Sequence, residues 1–219
     1  MGLAVAIWAA IAGDAVAISD AVALGTAVLA VATAFSPLTG DVFIDGSSYG
    51  PERRMALRVP TALLLGPVPL TWAAAAAGAT AGPLLLAAHQ WVAGVVAMAV
   101  GAPIVRLATR SLHQLSRRWI VFVPAGMVLH DPLGLPEPAL FLRRSIQQLG
   151  PAPADSSALD LTQGSVGLAL QAQFVEPTEM LVRRARNTTE NVTVESLVFT
   201  PTRPGALLDE ARSRRIHVA

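Results

Sequence analysis

The chain has 219 residues, of which 53% are apolar and only 14% charged, and its formal net charge is +1. So even a balance excludes bulk electrostatic capture of a long polyanion, and nucleic acid is not an expected partner. With no cysteine in the chain, disulfides, thiolate-held zinc, iron–sulfur clusters and thiol nucleophiles are excluded as well.

The 16 basic residues are all arginine, which we read as coding bias beside an alanine-rich N-terminal half. Charge is unevenly placed. No Asp, Glu, Lys or Arg occurs from Val59 to Val105, whereas ordinary charge density returns after Arg117. Composition therefore divides the chain into a transmembrane region over 1–116 and a soluble domain over 117–219.

The first apolar stretch, Gly2 to Gly13, lacks a basic leader and runs into more apolar sequence, which argues against a cleaved signal peptide. Spans are expected over 2–16 and 20–37. Their far turn holds Asp14 and Asp20 near the outer surface, because a carboxylate at bilayer centre costs about 3 kcal/mol; the first segment is short, and three full spans plus a partial one is the alternative. Pro37 to Arg54 reads as a turn-rich connection, with Gly40-Asp41, Asp45-Gly46 and Gly50-Pro51 as turns; Asp41 and Asp45 read as solvated carboxylates rather than a cation site.

The clearest span is 59–77, whose rise of about 28 Å approaches the hydrocarbon thickness. Pro67 and Pro69 are expected to bend it. Gly78 to Pro83 reads as a tight turn, and the next span, 84–105, carries His89. Arg53, Arg54 and Arg58 precede this pair, Arg106, Arg110, Arg117 and Arg118 follow it, and the turn is uncharged. By the positive-inside rule both ends, and the domain after them, face the cytoplasm, as in a multi-pass protein of the inner (plasma) membrane.

Arg106, Arg110, His113 and Arg117 fall on one face of a helix leaving the membrane. With Arg118 and Trp119 they form the candidate contact with the bilayer surface. Asp14, Asp20 and His89 are the candidate polar positions at membrane depth. They are too few to hold a haem or a quinone, and no cofactor is expected.

From Trp119 the periodicity becomes strand-like. WIVFV and Met127 to His130 flank the turn Pro124-Ala125-Gly126, and further strands are expected at Ala139–Leu142, Ser145–Leu149, Ala158–Leu161, Val166–Phe174, Glu179–Arg184 and Val192–Phe199. Short strands in so little sequence imply a small barrel or sandwich. Ala206 to Arg215 reads as a closing amphipathic helix, with Thr202 as cap and Pro204 in its first turn. His130-Asp131 supplies two adjacent ligands without a third and reads as a strand-end turn rather than a metal site. No nucleotide-binding glycine pattern or zinc-protease motif occurs.

The order of a membrane hairpin, SRRWIVFVPAGMVLHDP, ALFLRRSIQQL and VFTPTRPGALLDEARSRR resembles the bacterial membrane-anchored pleckstrin-homology-like domain family. The matching positions are Arg118 and Trp119, the turn Pro124 to Gly126, Arg144 to Ile146, and Pro201 to Arg215. More than one membrane hairpin and the Pro/Ala-rich stretch Gly150 to Ser157 depart from that pattern. The resemblance implies helical hairpins joined to a small all-β barrel or sandwich with a C-terminal helix, and it carries no catalytic residues.

The expected role is a noncatalytic membrane-anchored scaffold or accessory subunit. Its partners are the lipid bilayer and either another membrane protein or a second copy of itself. A small oligomeric transporter or channel component is the alternative, motivated by proline-broken spans, His89 and the small residues Gly78, Gly82, Gly94 and Gly101.

Overall fold

The computed structural model describes residues 18–34, 36–185 and 188–219. The chain divides into two compact units, Met1–Ser47 and Ser48–Ala219. In the first unit, α1 spans Ile18–Ala34 and α2 spans Pro37–Asp45. The segments Gly25–Ala34 and Leu38–Asp45 meet at a bend of 54°, and together they are long and apolar enough for one broken span or a re-entrant loop.

The helix α2 replaces the turn-rich connection expected there. Ser36, whose hydroxyl accepts from the Leu38 N–H, caps it, and Pro37 occupies its first turn. This start signal outweighs the internal Gly40-Asp41. The expected span over 2–16 and its Asp14 lie outside the described residues, and Asp20 lies in the first turn of α1.

The second unit opens with a strand. β1 (Arg53–Ala56) pairs antiparallel with β2 (Trp119–Val123), and everything between them is a helical hairpin. Its first arm is α3 (Thr61–Leu65) continued, past a break at Gly66, by α4 (Pro67–Ala87); its second arm is α5 (Trp91–Leu115). Thr61–Ala87 and Trp91–Leu115 are the two helices long and apolar enough to cross a membrane.

The turn between them is not at Gly78–Pro83, as the sequence reading had it, but at Ala88–Gln90, where His89 adopts a φ of 59°. Gly78 and Gly82 are spent on packing instead. Gly78 abuts Gly101, and Gly82 abuts Met98, so closely that a Cβ on Gly82 or Gly101 would overlap the facing arm. Pro83 sits inside α4, and its neighbours continue the helix through it.

β2, β3 (Gly126–His130) and β4 (Ala139–Leu142) complete the first sheet in the order β1-β2-β3-β4. A 3₁₀ turn at Arg143–Ser145 leads to the second sheet, ordered β5-β7-β8-β6, with β5 at Ile146–Pro151, β6 at Leu159–Asp160, β7 at Leu170–Ala185 and β8 at Thr188–Phe199. The strands expected at Val166–Phe174 and Glu179–Arg184 are one strand, β7. A register shift between Gln173 and Thr178 carries Pro177, a placement that spares the ladder a missing donor.

Both sheets share one core. Ile120, Phe122, Met127 and Leu129 from the first are fully buried with Leu149, Leu170, Leu197 and Phe199 from the second. Phe141 of β4 stacks on Phe174 of β7 at 4.7 Å between ring centroids. The terminal helix α6 (Pro204–Ser213) adds Leu207, Leu208 and Ala211 to the same core. Beyond it the chain returns along β5, with Leu149 bonded to His217 and Ala219, which covers that edge. Thr202 does not cap α6; its N–H and hydroxyl both donate to the Ala56 carbonyl and tie the helix entry to β1.

The glycine contacts make a testable statement. Gly101→Ala forces the two arms apart and is expected to cost about 1–3 kcal/mol. Gly205→Ala in α6, where a Cβ meets open space, is expected to be neutral or to stabilise by up to about 1 kcal/mol. Thermal unfolding of both variants in mild detergent checks the contrast; equal melting temperatures for the two would contradict the packing described.

Candidate functional site

The most constrained polar constellation lies at the neck, where the chain leaves β1 for the hairpin and returns from it to β2. Register explains how it forms. Trp119 faces His130 across the β2–β3 ladder, so one step further outward Arg118 faces Asp131. Side chains alternate along a strand. Arg118 therefore shares the inward side of Ile120 and Phe122, and Asp131 that of Met127 and Leu129.

Both charges end inside the protein. The side chain of Arg118 is 2% exposed and that of Asp131 0%. The pair is bidentate: Nε donates to Oδ1 and Nη2 to Oδ2, each at 2.7 Å. The remaining guanidinium nitrogen, Nη1, donates to the Arg58 carbonyl at 2.6 Å, and Oδ1 also accepts from the Leu133 N–H at 3.1 Å. Every charged atom is thus engaged, the condition under which a buried pair is tolerated.

Around this pair the neck is laced by backbone bonds. Leu57 N–H donates to the Arg118 carbonyl at 3.0 Å and Arg58 N–H to the Thr200 carbonyl at 2.8 Å. The Ser165 hydroxyl donates to the Arg58 carbonyl at 3.1 Å. The Thr61 hydroxyl donates to the Gly164 carbonyl at 2.9 Å and accepts from the Val166 N–H at 3.1 Å. The loop 162–168 is thereby fastened to the first turn of the hairpin.

These contacts redistribute the residues expected at a bilayer surface. Arg106, Arg110 and Arg117 are exposed along α5 and just beyond it. Arg118 is not available to lipid: its guanidinium is closed inside the neck because it stands on the core-facing side of β2. Trp119 is half-buried, stacked on His130 at 5.1 Å and approached by the Arg54 guanidinium at 5.7 Å. His130 Nδ1 lies 2.7 Å from the Arg117 carbonyl.

Of the polar positions expected at membrane depth, His89 is the one whose side-chain surroundings are described. Asp14 lies outside the described residues. His89 is exposed at the turn between the arms, edge-on to Trp91 at 5.9 Å. The His130-Asp131 pair is no metal site, since both Asp131 oxygens are committed to Arg118. Among the described residues no group of three His, Asp or Glu side chains could hold a metal ion.

The clefts of the two-sheet domain are open and shallow. One of about 430 Å³ is lined by Ser157 to Leu159, Arg184 and Val192 to Ser196. A second, of about 390 Å³, runs along the Pro/Ala-rich stretch from Ala152 to Ser156 and the facing Gly167 to Ala169. Neither brings a nucleophile against a general base. Comparison of the chain with protein-family models, with curated proteins and with solved structures finds no match.

Removing one partner of the neck pair strands the other charge in the core. Arg118→Met alone, or Asp131→Leu alone, is expected to lower the stability of the unit by about 3–5 kcal/mol, whereas the double variant recovers most of the loss. Denaturant unfolding followed by tryptophan fluorescence checks this, and additive losses in the double variant would contradict it.

Proposed function

We propose that the chain is a membrane-anchored, noncatalytic scaffold or accessory subunit whose two-sheet domain presents a binding surface at the cytoplasmic face. One observation carries the reading. The hairpin is inserted between two hydrogen-bonded neighbours, β1 and β2, so both of its ends return to a single domain and the arms serve that domain as an anchor.

The orientation follows from charge. Arg53, Arg54, Arg58, Arg110 and Arg117 stand at or near the neck, while the Ala88–Gln90 turn carries no formal charge; by the positive-inside rule the neck and its domain belong in the cytoplasm. The pleckstrin-homology-like character is part of the same proposal, supported by two small sheets around one core with a helix closing the chain. Folds of this kind serve as platforms as often as catalysts, and function resides in the surface they present. The close packing of Gly78 on Gly101 leaves no pathway between the arms, so the transporter alternative would need several copies.

The absence of native cysteine permits a direct test. Gln90→Cys at the turn is expected to react with a membrane-impermeant thiol reagent in intact cells, and Ser156→Cys in the domain only after the cells are opened. Crosslinking from Ser156→Cys in native membranes is expected to trap a discrete partner or a second copy. Labelling at position 156 in intact cells overturns the orientation, and a chain that stays solitary at native expression overturns the scaffold role.

A further inference from the structure

The loop 162–168 carries two exposed apolar side chains, Val166 at 70% and Leu168 at 51%. They stand where the hairpin begins, because the loop is bonded through Gly164 and Val166 to Thr61, the first residue of the first arm. That arm continues the apolar surface directly, with Leu64 at 51% and Leu65 at 79% exposed. The loop also holds a cation: Gly167, at a φ of 137°, lies so close to the Arg58 guanidinium that a Cβ would meet its Nε at 2.8 Å. An apolar tip beside a basic side chain, continuous with a spanning helix, has the composition of a segment that lies in the headgroup–acyl boundary.

We propose that the 162–168 loop is a further contact of this chain with the bilayer beyond the two arms of the hairpin, seating Val166 and Leu168 in the interface while Arg58 meets lipid phosphate. The proposal rests on the reading of Thr61–Ala87 and Trp91–Leu115 as membrane spans.

The lengths of the two arms support it. The 27 residues of Thr61–Ala87 rise about 40 Å against a hydrocarbon thickness of about 30 Å, which a tilt of about 40° accommodates. On α5 the uncharged part, Trp91 to Val105, rises only about 22 Å before Arg106. Both are satisfied when the hairpin leans with α5 uppermost. At an interaxial separation of about 9 Å such a tilt lifts α5 by about 6 Å relative to its partner, and Arg106 and Arg110 snorkel to the surface from there. The side that bears Thr61 is then the lower one at the neck. The loop bonded to Thr61 descends with it, and the exposed apolar residues of that arm stay covered by lipid.

The chain contains no cysteine, so single probes report cleanly. Val166→Cys, Val100→Cys in the middle of α5 and Ala125→Cys at the opposite end of β2 are each labelled with an environment-sensitive fluorophore. The full chain is then reconstituted in liposomes of phosphatidylcholine and phosphatidylglycerol. Quenching by lipids spin-labelled near the headgroup end of the acyl chain is compared with quenching by aqueous iodide. The probe at 166 is expected to be quenched at least about twofold more by the lipid label, and at least about twofold less by iodide, than the probe at 125.

A probe at 166 that behaves like the one at 125, while the probe at 100 is lipid-quenched, overturns the proposal and leaves the spans standing. Shielding of 166 from both quenchers also overturns it, since protein rather than lipid then covers the loop. Iodide access at position 100 overturns the span reading itself, and the loop contact falls with it.

Discussion

Backbone hydrogen bonding between Arg53–Ala56 and Trp119–Phe122 is the constraint on which the second unit depends. It joins the residue that enters the hairpin to the residue that leaves it, and so makes two long apolar helices a loop of a sheet. The short ladder would be weak alone. It is reinforced by Thr202 bonding to the Ala56 carbonyl and by Arg58 bonding to Thr200, so the last connection of the domain, between β8 and α6, fixes the strand that precedes the hairpin. Neither the anchor nor the sheet is separable from the other without leaving backbone donors unpaired.

At the same junction the fold accepts a cost that an apolar pair would avoid. Two charges are withdrawn from water, and their mutual attraction offsets the desolvation only because the geometry is bidentate and the spare donor finds the Arg58 carbonyl. What the pair adds is directional. A guanidinium that must satisfy Asp131 and Arg58 together admits one spacing between β3, β2 and the entry to the first arm, whereas apolar side chains would tolerate several.

Much of this architecture was legible in the residues. The charge-free run from Val59 to Val105 marks the hairpin, and the β-branched and aromatic run WIVFV, followed by a turn and Met127 to His130, marks β2 and β3. The position of the turn was not legible, because Gly78 and Gly82 are equally good as turn residues and as points of close helix approach. Only the facing Gly101 and Met98 decide between these uses. β1 was hidden because Arg-Arg-Met-Ala has little strand character of its own and is held by its neighbour. The buried pair, in contrast, was within reach. Counting by two from Ile120 and Phe122 back to Arg118, and from Met127 and Leu129 on to Asp131, turns both charges inward on adjacent strands, and reading Arg117 and Arg118 together as a bilayer-surface contact conceals that difference. The helix α2 carried its own start signal in Ser36-Pro37.

The place of β1 ahead of the hairpin also bears on how the chain reaches its structure during synthesis. Arg53–Ala56 leaves the ribosome well before Trp119, and the partner it needs does not exist until both arms have been made. Closing a flexible loop of about 60 residues would carry an entropic penalty that grows with the logarithm of its length. A hairpin whose arms have already zipped along Gly78, Gly82, Gly94 and Gly101 delivers the two strands side by side and removes most of it. Topology therefore favours an order in which the arms associate before β1 finds β2. A chain interrupted before the arms meet leaves β1 without its neighbour, the form in which a nascent strand is most prone to pair with the wrong partner.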